Sequence, residues 1–282
     1  MQELDDYINR VQHLPPAPKV LPQLIGLLRK DNVATQEVVQ LLSYDMSLTA
    51  AVLQLCNSAF LGAAQPASDL QEAVSRLGFR QVYRLVVAIS GAKLMSAGQT
   101  GYGIDEGELW QHAVTTAVAS QLLARHVGED DSVAFTAGLL HDIGKIVLSQ
   151  ALEHIYAKVI NDVETNQQSL LETEKKLLGV QHAEIGGRLL ARWKFPSNIV
   201  AATWFHHNPG SATPHHRLTS CVYLGNMISY FIGRGYGFHA FAFRGRTEAL
   251  DILKLQPDDL PKFMIQTIES FDEIQAFLSI KA

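Results

Sequence analysis

The chain has 282 residues, 47% of them apolar, and a formal net charge of −5. That apolar share is enough for a sizeable folded core, and no run of Lys or Arg advertises a nucleic-acid or membrane surface. Apolar runs such as Leu85 to Ile89 fall far short of the roughly 20 residues of a spanning helix. With Cys56 and Cys221 as the only cysteines, and an acidic start without the basic and apolar sections of a signal peptide, the expectation is a cytoplasmic protein lacking a disulfide framework.

In chain order, apolar residues recur at helical intervals, first in Val38, Val39, Leu41 and Leu42, then in Val82, Leu85, Val86 and Ile89. Asp69 and Glu72 have capping-box spacing at a helix start, and Gly78 stops that helix after Leu77. Alternating strand patterns are absent, so the predicted class is all-α. The turn-rich stretch from Ser96 to Gly107, with four glycines, is the clearest internal boundary. It predicts an N-terminal helical lobe over 1–100 and a histidine-bearing helical bundle over 101–230. The glycine- and aromatic-rich stretch from Phe231 to Arg246 reads as a loop, and two short helices follow within 231–282. Ser270 and Glu273 mark one helix start there.

The chemistry concentrates at Gly138-Leu139-Leu140-His141-Asp142-Ile143-Gly144-Lys145, where an apolar helix is expected to break at a glycine. Adjacent histidine and aspartate offer a nitrogen and an oxygen to one metal ion, and a lysine four positions after His141 could hold phosphate above it. His112, His182 and the doublet His206-His207 stand in other apolar segments. Glu108 and His112 are four apart and share a helix face; Asp105 and Glu108 also have capping-box spacing, and the two readings of Glu108 are evenly matched. Alone, His112 would more often be a hydrogen-bonded core residue than a ligand. Neighbours on a helix diverge by about 100°, so His206 and His207 should not converge on one ion in the same way. Five histidines and an aspartate on four helical segments nevertheless make a better set than a coincidence. His13, His126, His154, His215, His216 and His239 have charged, proline-rich or glycine-rich surroundings and read as surface residues.

These residues, together with Leu14-Pro15-Pro16, Asp45, Asn57-Ser58-Ala59, Ala73 to Gly78, His182 to Gly186, Trp193 and Pro196, carry a resemblance. From about residue 14 to 210 the chain resembles the HD superfamily of metal-dependent phosphohydrolases, and more closely its HD-related output domain branch, HDOD. The resemblance implies an all-helical bacterial signalling domain. It implies that His112, His141, Asp142, His182, His206 and His207 match the ligands of the dinuclear HD-GYP relatives, with Glu108 as accessory glutamate and Lys145 as the phosphate-contacting lysine. The Gly-Tyr-Pro segment of those relatives is missing, and Asn226 stands where their last aspartate ligand is expected.

An amide is a poorer ligand than a carboxylate, so the expected cofactor is one or two divalent ions (Fe, Mn, Zn or Ni), with partial occupancy. Two functions compete. One is a regulatory module with a signalling protein partner and a retained metal site. The other is a phosphohydrolase acting on a phosphomonoester or phosphodiester, with Asp142 and Lys145 as catalytic residues and Lys145 binding substrate phosphate. Either accommodates a phosphate-containing ligand, and the sequence leaves open whether the chain is an enzyme.

Overall fold

The computed structural model describes residues 20–28, 30, 32–57, 67, 69–151, 169–236 and 247–279. Among them there is no strand, only an isolated bridge between Gln99 and Ile104, so the fold is all-α. No helix is long and apolar enough to cross a membrane among the described residues. By its contacts the chain divides into two compact units, residues 16–93 and 94–278.

The first unit holds α1 (Val20–Leu28), α2 (Thr35–Ser43), α3 (Met46–Cys56) and most of α4 (Leu70–Met95). Leu21, Leu24 and Ile25 of α1 and Val38 and Leu42 of α2 are buried at three- and four-residue spacing, and for α2 this is the spacing that predicts the helix. Asp69 accepts the Glu72 backbone N–H at 2.8 Å, the expected cap of α4. Gly78 interrupts that helix with φ 73° and ψ 155°, a conformation glycine adopts without steric cost. The expected stop is a kink at Gly78 between two helical segments.

The second unit is built around α5 (Glu108–Val127), buried along most of its length. Its alanines at 113, 117, 119 and 124 let α6 (Asp131–Leu140) and α11 (His216–Phe231) pack against it. α7 (Ile143–Ala151) packs on α9 (His182–Arg192), which also meets α10 (Ser197–Trp204); α8 (Leu170–Leu178) precedes α9. α12 (Glu248–Leu253) contacts α11, and α13 (Leu260–Ser279) ends the described chain.

Two local expectations are corrected. The apolar segment breaks at His141-Asp142, between α6 and α7, and not at Gly144, which lies inside α7. Gly144 answers a different need: a Cβ there would lie 1.9 Å from the His182 carbonyl oxygen, so glycine lets α7 and α9 touch. Ser270 does not begin a helix; it lies within α13, whose 20 residues also make it longer than the short helix expected. The loop expected from Phe231 to Arg246 lies outside the described residues from 237 onward, and Phe231 itself closes α11.

Candidate metal centre

Helix ends deliver most of the site. α6 stops at Leu140 and α7 starts at Ile143, so His141 sits past one C-terminus and Asp142 precedes the other helix's N-terminus, where the helix dipole favours an anion. His141 Nδ1 lies 2.7 Å from the Gly138 carbonyl oxygen, and His206 Nδ1 the same distance from that of Thr203. His112 Nδ1 is 3.1 Å from the Arg234 carbonyl oxygen, with Ser229 Oγ at 3.0 Å. A carbonyl can only accept, so these three rings carry their proton on Nδ1 and keep a lone pair on Nε2.

The Nε2 atoms turn toward Asp142. Those of His141 and His112 lie 3.3 and 3.7 Å from its Oδ2, and those of His182 and His206 lie 3.2 and 3.6 Å from its Oδ1. His207 Nε2 is 3.0 Å from His182 Nε2. Candidate ligand atoms therefore fall into two groups sharing one carboxylate: His112, His141 and Asp142, and Asp142, His182, His206 and His207. The Nε2 atoms of His112, His141 and His206 are buried and make no hydrogen bond. Buried polar atoms are normally satisfied, and three orphaned lone pairs gathered around one carboxylate are suited to hold a metal ion. The residues fit a divalent metal ion.

Electrostatics agree. Burial, helped by His141, pushes His112 down to about 3, and burial followed by the neighbouring imidazoles holds His206 and His207 well below the usual histidine range. Burial works to raise Asp142, but His141 and Lys145 outweigh it and keep the carboxyl well below its usual range. Burial likewise opposes charge on His182, yet the Glu174 carboxylate raises it. Both Glu174 oxygens lie 3.0 Å from His182 Nδ1; Glu174 also accepts the His182 backbone N–H at 2.9 Å and the Tyr102 hydroxyl at 2.9 Å.

All six residues expected as ligands come together in this unit. His206 and His207 correct the expected divergence: both follow the end of α10 in a turn, where helical angles no longer apply, and their ring centroids are 3.9 Å apart. Lys145 also joins the cluster, with Nζ 2.6 Å from Asp142 Oδ2 and 2.9 Å from the Tyr236 hydroxyl. Asn226 is buried on α11, one turn before Ser229 and Tyr230, which contact His112. Helical spacing sets it on the same side of α11 as those two residues. Glu108 is not among the grouped ligand atoms; its carboxylate accepts the Asp105 backbone N–H at 2.8 Å, as the capping reading expects. Of the histidines read as surface residues, His126 is exposed, His215 and His216 are half-buried, and His13, His154 and His239 lie outside the described residues.

Sequence reasoning missed Glu174, Ser229 and Tyr236. Glu174 stands among Glu and Lys residues that read as a solvated helix face, yet it is fully buried. Tyr236 belongs to Gly233-Arg234-Gly235-Tyr236-Gly237, a stretch that matches no phosphate loop. Its hydroxyl donates to Asp142 Oδ2.

The whole chain is similar to known proteins. An uncharacterised protein of Treponema pallidum is 25% identical over 273 residues, covering 95% of this chain and 51% of its own length. A ribonuclease Y 1 of Pediococcus pentosaceus is 27% identical over 163 residues, 57% of this chain and 26% of that one. The chain thus spans about half or less of the length of these curated relatives. Among solved structures, an HDOD domain protein of unknown function from Geobacter sulfurreducens superposes with a TM-score of 0.71 at 23% identity, covering 95% of this chain and 88% of that one. A candidate signal transduction protein from Marinobacter aquaeolei VT8 gives 0.75 at 25% identity, over 98% of this chain and 64% of that one. The HDOD domain model matches residues 14–209, most of the chain, and with the helical fold and the His/Asp cluster already described this chain belongs to the HDOD domain family.

Proposed function

We propose that this chain is an HDOD regulatory module whose folded state holds a divalent metal, Fe, Mn, Zn or Ni, between Asp142 and the histidines at 112, 141, 182, 206 and 207. The observation that carries the reading is the trio of buried Nε2 lone pairs that converge on Asp142 without a hydrogen bond. A divalent ion held there supplies a concentrated positive charge able to acidify water and polarise phosphoryl oxygens. The chain's own residues do the rest: backbone carbonyls of Gly138, Thr203 and Arg234 orient three rings, and Glu174 orients a fourth. A signalling protein partner is part of this reading, supported by the family and by the Marinobacter neighbour's description. So is a phosphate-containing ligand, which a cationic centre attracts.

Hydrolysis is the second reading, and Lys145 favours it, because an ammonium beside the cluster is what a developing phosphorane charge requires. The ribonuclease Y relatives, by their name hydrolases of RNA, make a phosphodiester its substrate class. Against it, Lys145 is only 2% exposed and already engaged by Asp142 and Tyr236, and of the six ligands only His207 keeps appreciable accessible surface. The test is metal analysis of protein purified without chelator, paired with melting and with turnover of bis(p-nitrophenyl) phosphate. The regulatory reading expects bound metal, a lower melting temperature on chelation, and no turnover above the metal-free background. Turnover that disappears in Asp142→Ala would overturn it in favour of the hydrolase, and absence of metal would overturn both.

A further inference from the structure

The two halves of the centre are built unequally. On the Oδ1 side of Asp142 stand His182, His206 and His207, and His182 is backed by a fully buried carboxylate, Glu174, whose two oxygens both reach its Nδ1. A carboxylate behind a histidine fixes the ring and raises its basicity as a ligand. On the Oδ2 side, His112 and His141 face an oxygen that the Lys145 ammonium already approaches to 2.6 Å and that also accepts the Tyr236 hydroxyl. Lys145 and Tyr236 bind each other as well, at 2.9 Å, with the ammonium 4.8 Å from the phenol ring centroid. Both side chains are buried, so neither is drawn away by water.

We propose that the centre takes one divalent ion, on the Oδ1 side, and that the Lys145 ammonium, pinned by Tyr236, occupies the second cation's place on Oδ2. Resting on the metal-binding reading above, this assigns Lys145 and Tyr236 as the residues that set stoichiometry, and Glu174 as a positioning residue for the ion that binds. Charge supports the same count. The carboxylates in contact with the cluster, Asp142 and Glu174, balance Lys145 and half of one divalent ion. A second ion would leave three uncompensated positive charges in a buried site unless an anion came with it.

Chelator-stripped protein titrated with Co2+ in an anion-poor buffer tests this, with metal counted after gel filtration and Co2+ spin coupling read by electron paramagnetic resonance. The parent should hold one ion with an uncoupled spectrum. His112→Ala should keep that ion, whereas His206→Ala should lose it. Glu174→Gln should keep it with an affinity about 10–100-fold lower. Lys145→Met should take up a second, spin-coupled ion, and Tyr236→Phe, which keeps the ring, should admit it more weakly. Helical circular dichroism confirms that each variant is folded. Two ions in the parent, loss of the ion in His112→Ala, or a folded Lys145→Met still limited to one, each overturns the proposal. A parent that binds none overturns the metal-binding reading itself.

Discussion

Gly144→Ala is the sharpest single test of how the fold builds the centre. An added Cβ would lie 1.9 Å from the His182 carbonyl oxygen, 2.7 Å from the Gly186 nitrogen and 2.8 Å from the His182 carbonyl carbon. Relaxed carbon-to-oxygen contacts are about 3.3–3.6 Å, so α7 and α9 must separate by more than about 1 Å. Every atom in the way is backbone, and no rotamer change can relieve it. Overpacking costs about 1–3 kcal/mol, and a backbone clash belongs at the upper end. At about 2–4 °C per kcal/mol for a unit of this size, melting should fall by about 6–12 °C. The same displacement separates Asp142 from His182, whose Nε2 and Oδ1 are 3.2 Å apart, and metal distances tolerate only about 0.2 Å. Metal content should therefore fall with stability. Gly26→Ala is the control, because nothing lies within 4 Å of its Cβ in α1; alanine's better helix propensity should leave melting unchanged or slightly raised. A Gly144→Ala protein that melts with the parent and retains its metal would refute the close approach of α7 and α9.

Acid should destabilise the chelated protein. Below the unfolded histidine value of 6.5 the unfolded chain binds protons that buried His112, held at about 3, and the lowered His206 and His207 refuse. Each then contributes up to about 1.4 kcal/mol of lost stability per pH unit, partly offset by His182, whose value is raised. Urea unfolding at pH 7.5 and 5.5 reads this, and equal or greater stability at the lower pH would contradict it. Asn226→Asp should lower stability under chelation, because it buries an unpaired carboxylate, and bind Co2+ more tightly at the same count of one ion; unchanged affinity in a folded variant would remove Asn226 from the centre. Asp130→Ala should cost about 1 kcal/mol, since its carboxylate caps α6 through the Ser132 and Val133 N–H groups, with melting as the readout and no change in metal count.

The helices were legible because burial follows the apolar spacing, as at Val82, Leu85, Val86 and Ile89. Caps were less so. Ser270 and Glu273 have the spacing of a capping box, but three residues is also an ordinary neighbour distance inside a helix, and they stand within α13. Glu108 had two readings, from its spacings to His112 and to Asp105, and the structure gives it the helix start: it opens α5 and accepts the Asp105 backbone N–H. His206 and His207 lie beyond the end of α10, so the helical angle between neighbours does not separate them.

What separates the legible from the illegible part of the centre is the range of the bond that orients each ring. His141 and His206 each hold the carbonyl three residues earlier, using an acceptor that a helix end leaves free. Those two histidines carry their orientation in their own short segments, which is why a few residues around them suffice as a motif. His182 depends instead on Glu174, eight positions away, and His112 on Ser229 and Arg234, across more than a hundred residues. Ser229, Arg234 and Tyr236 lie beyond residue 209, where the family match ends. The His112 half of the centre is thus shaped by a part of the chain outside that match. Changes after α11 can reset the Oδ2 side while the His141, His182 and His206 framework stays in place, and a family resemblance over residues 14–209 does not fix how many ions the centre holds.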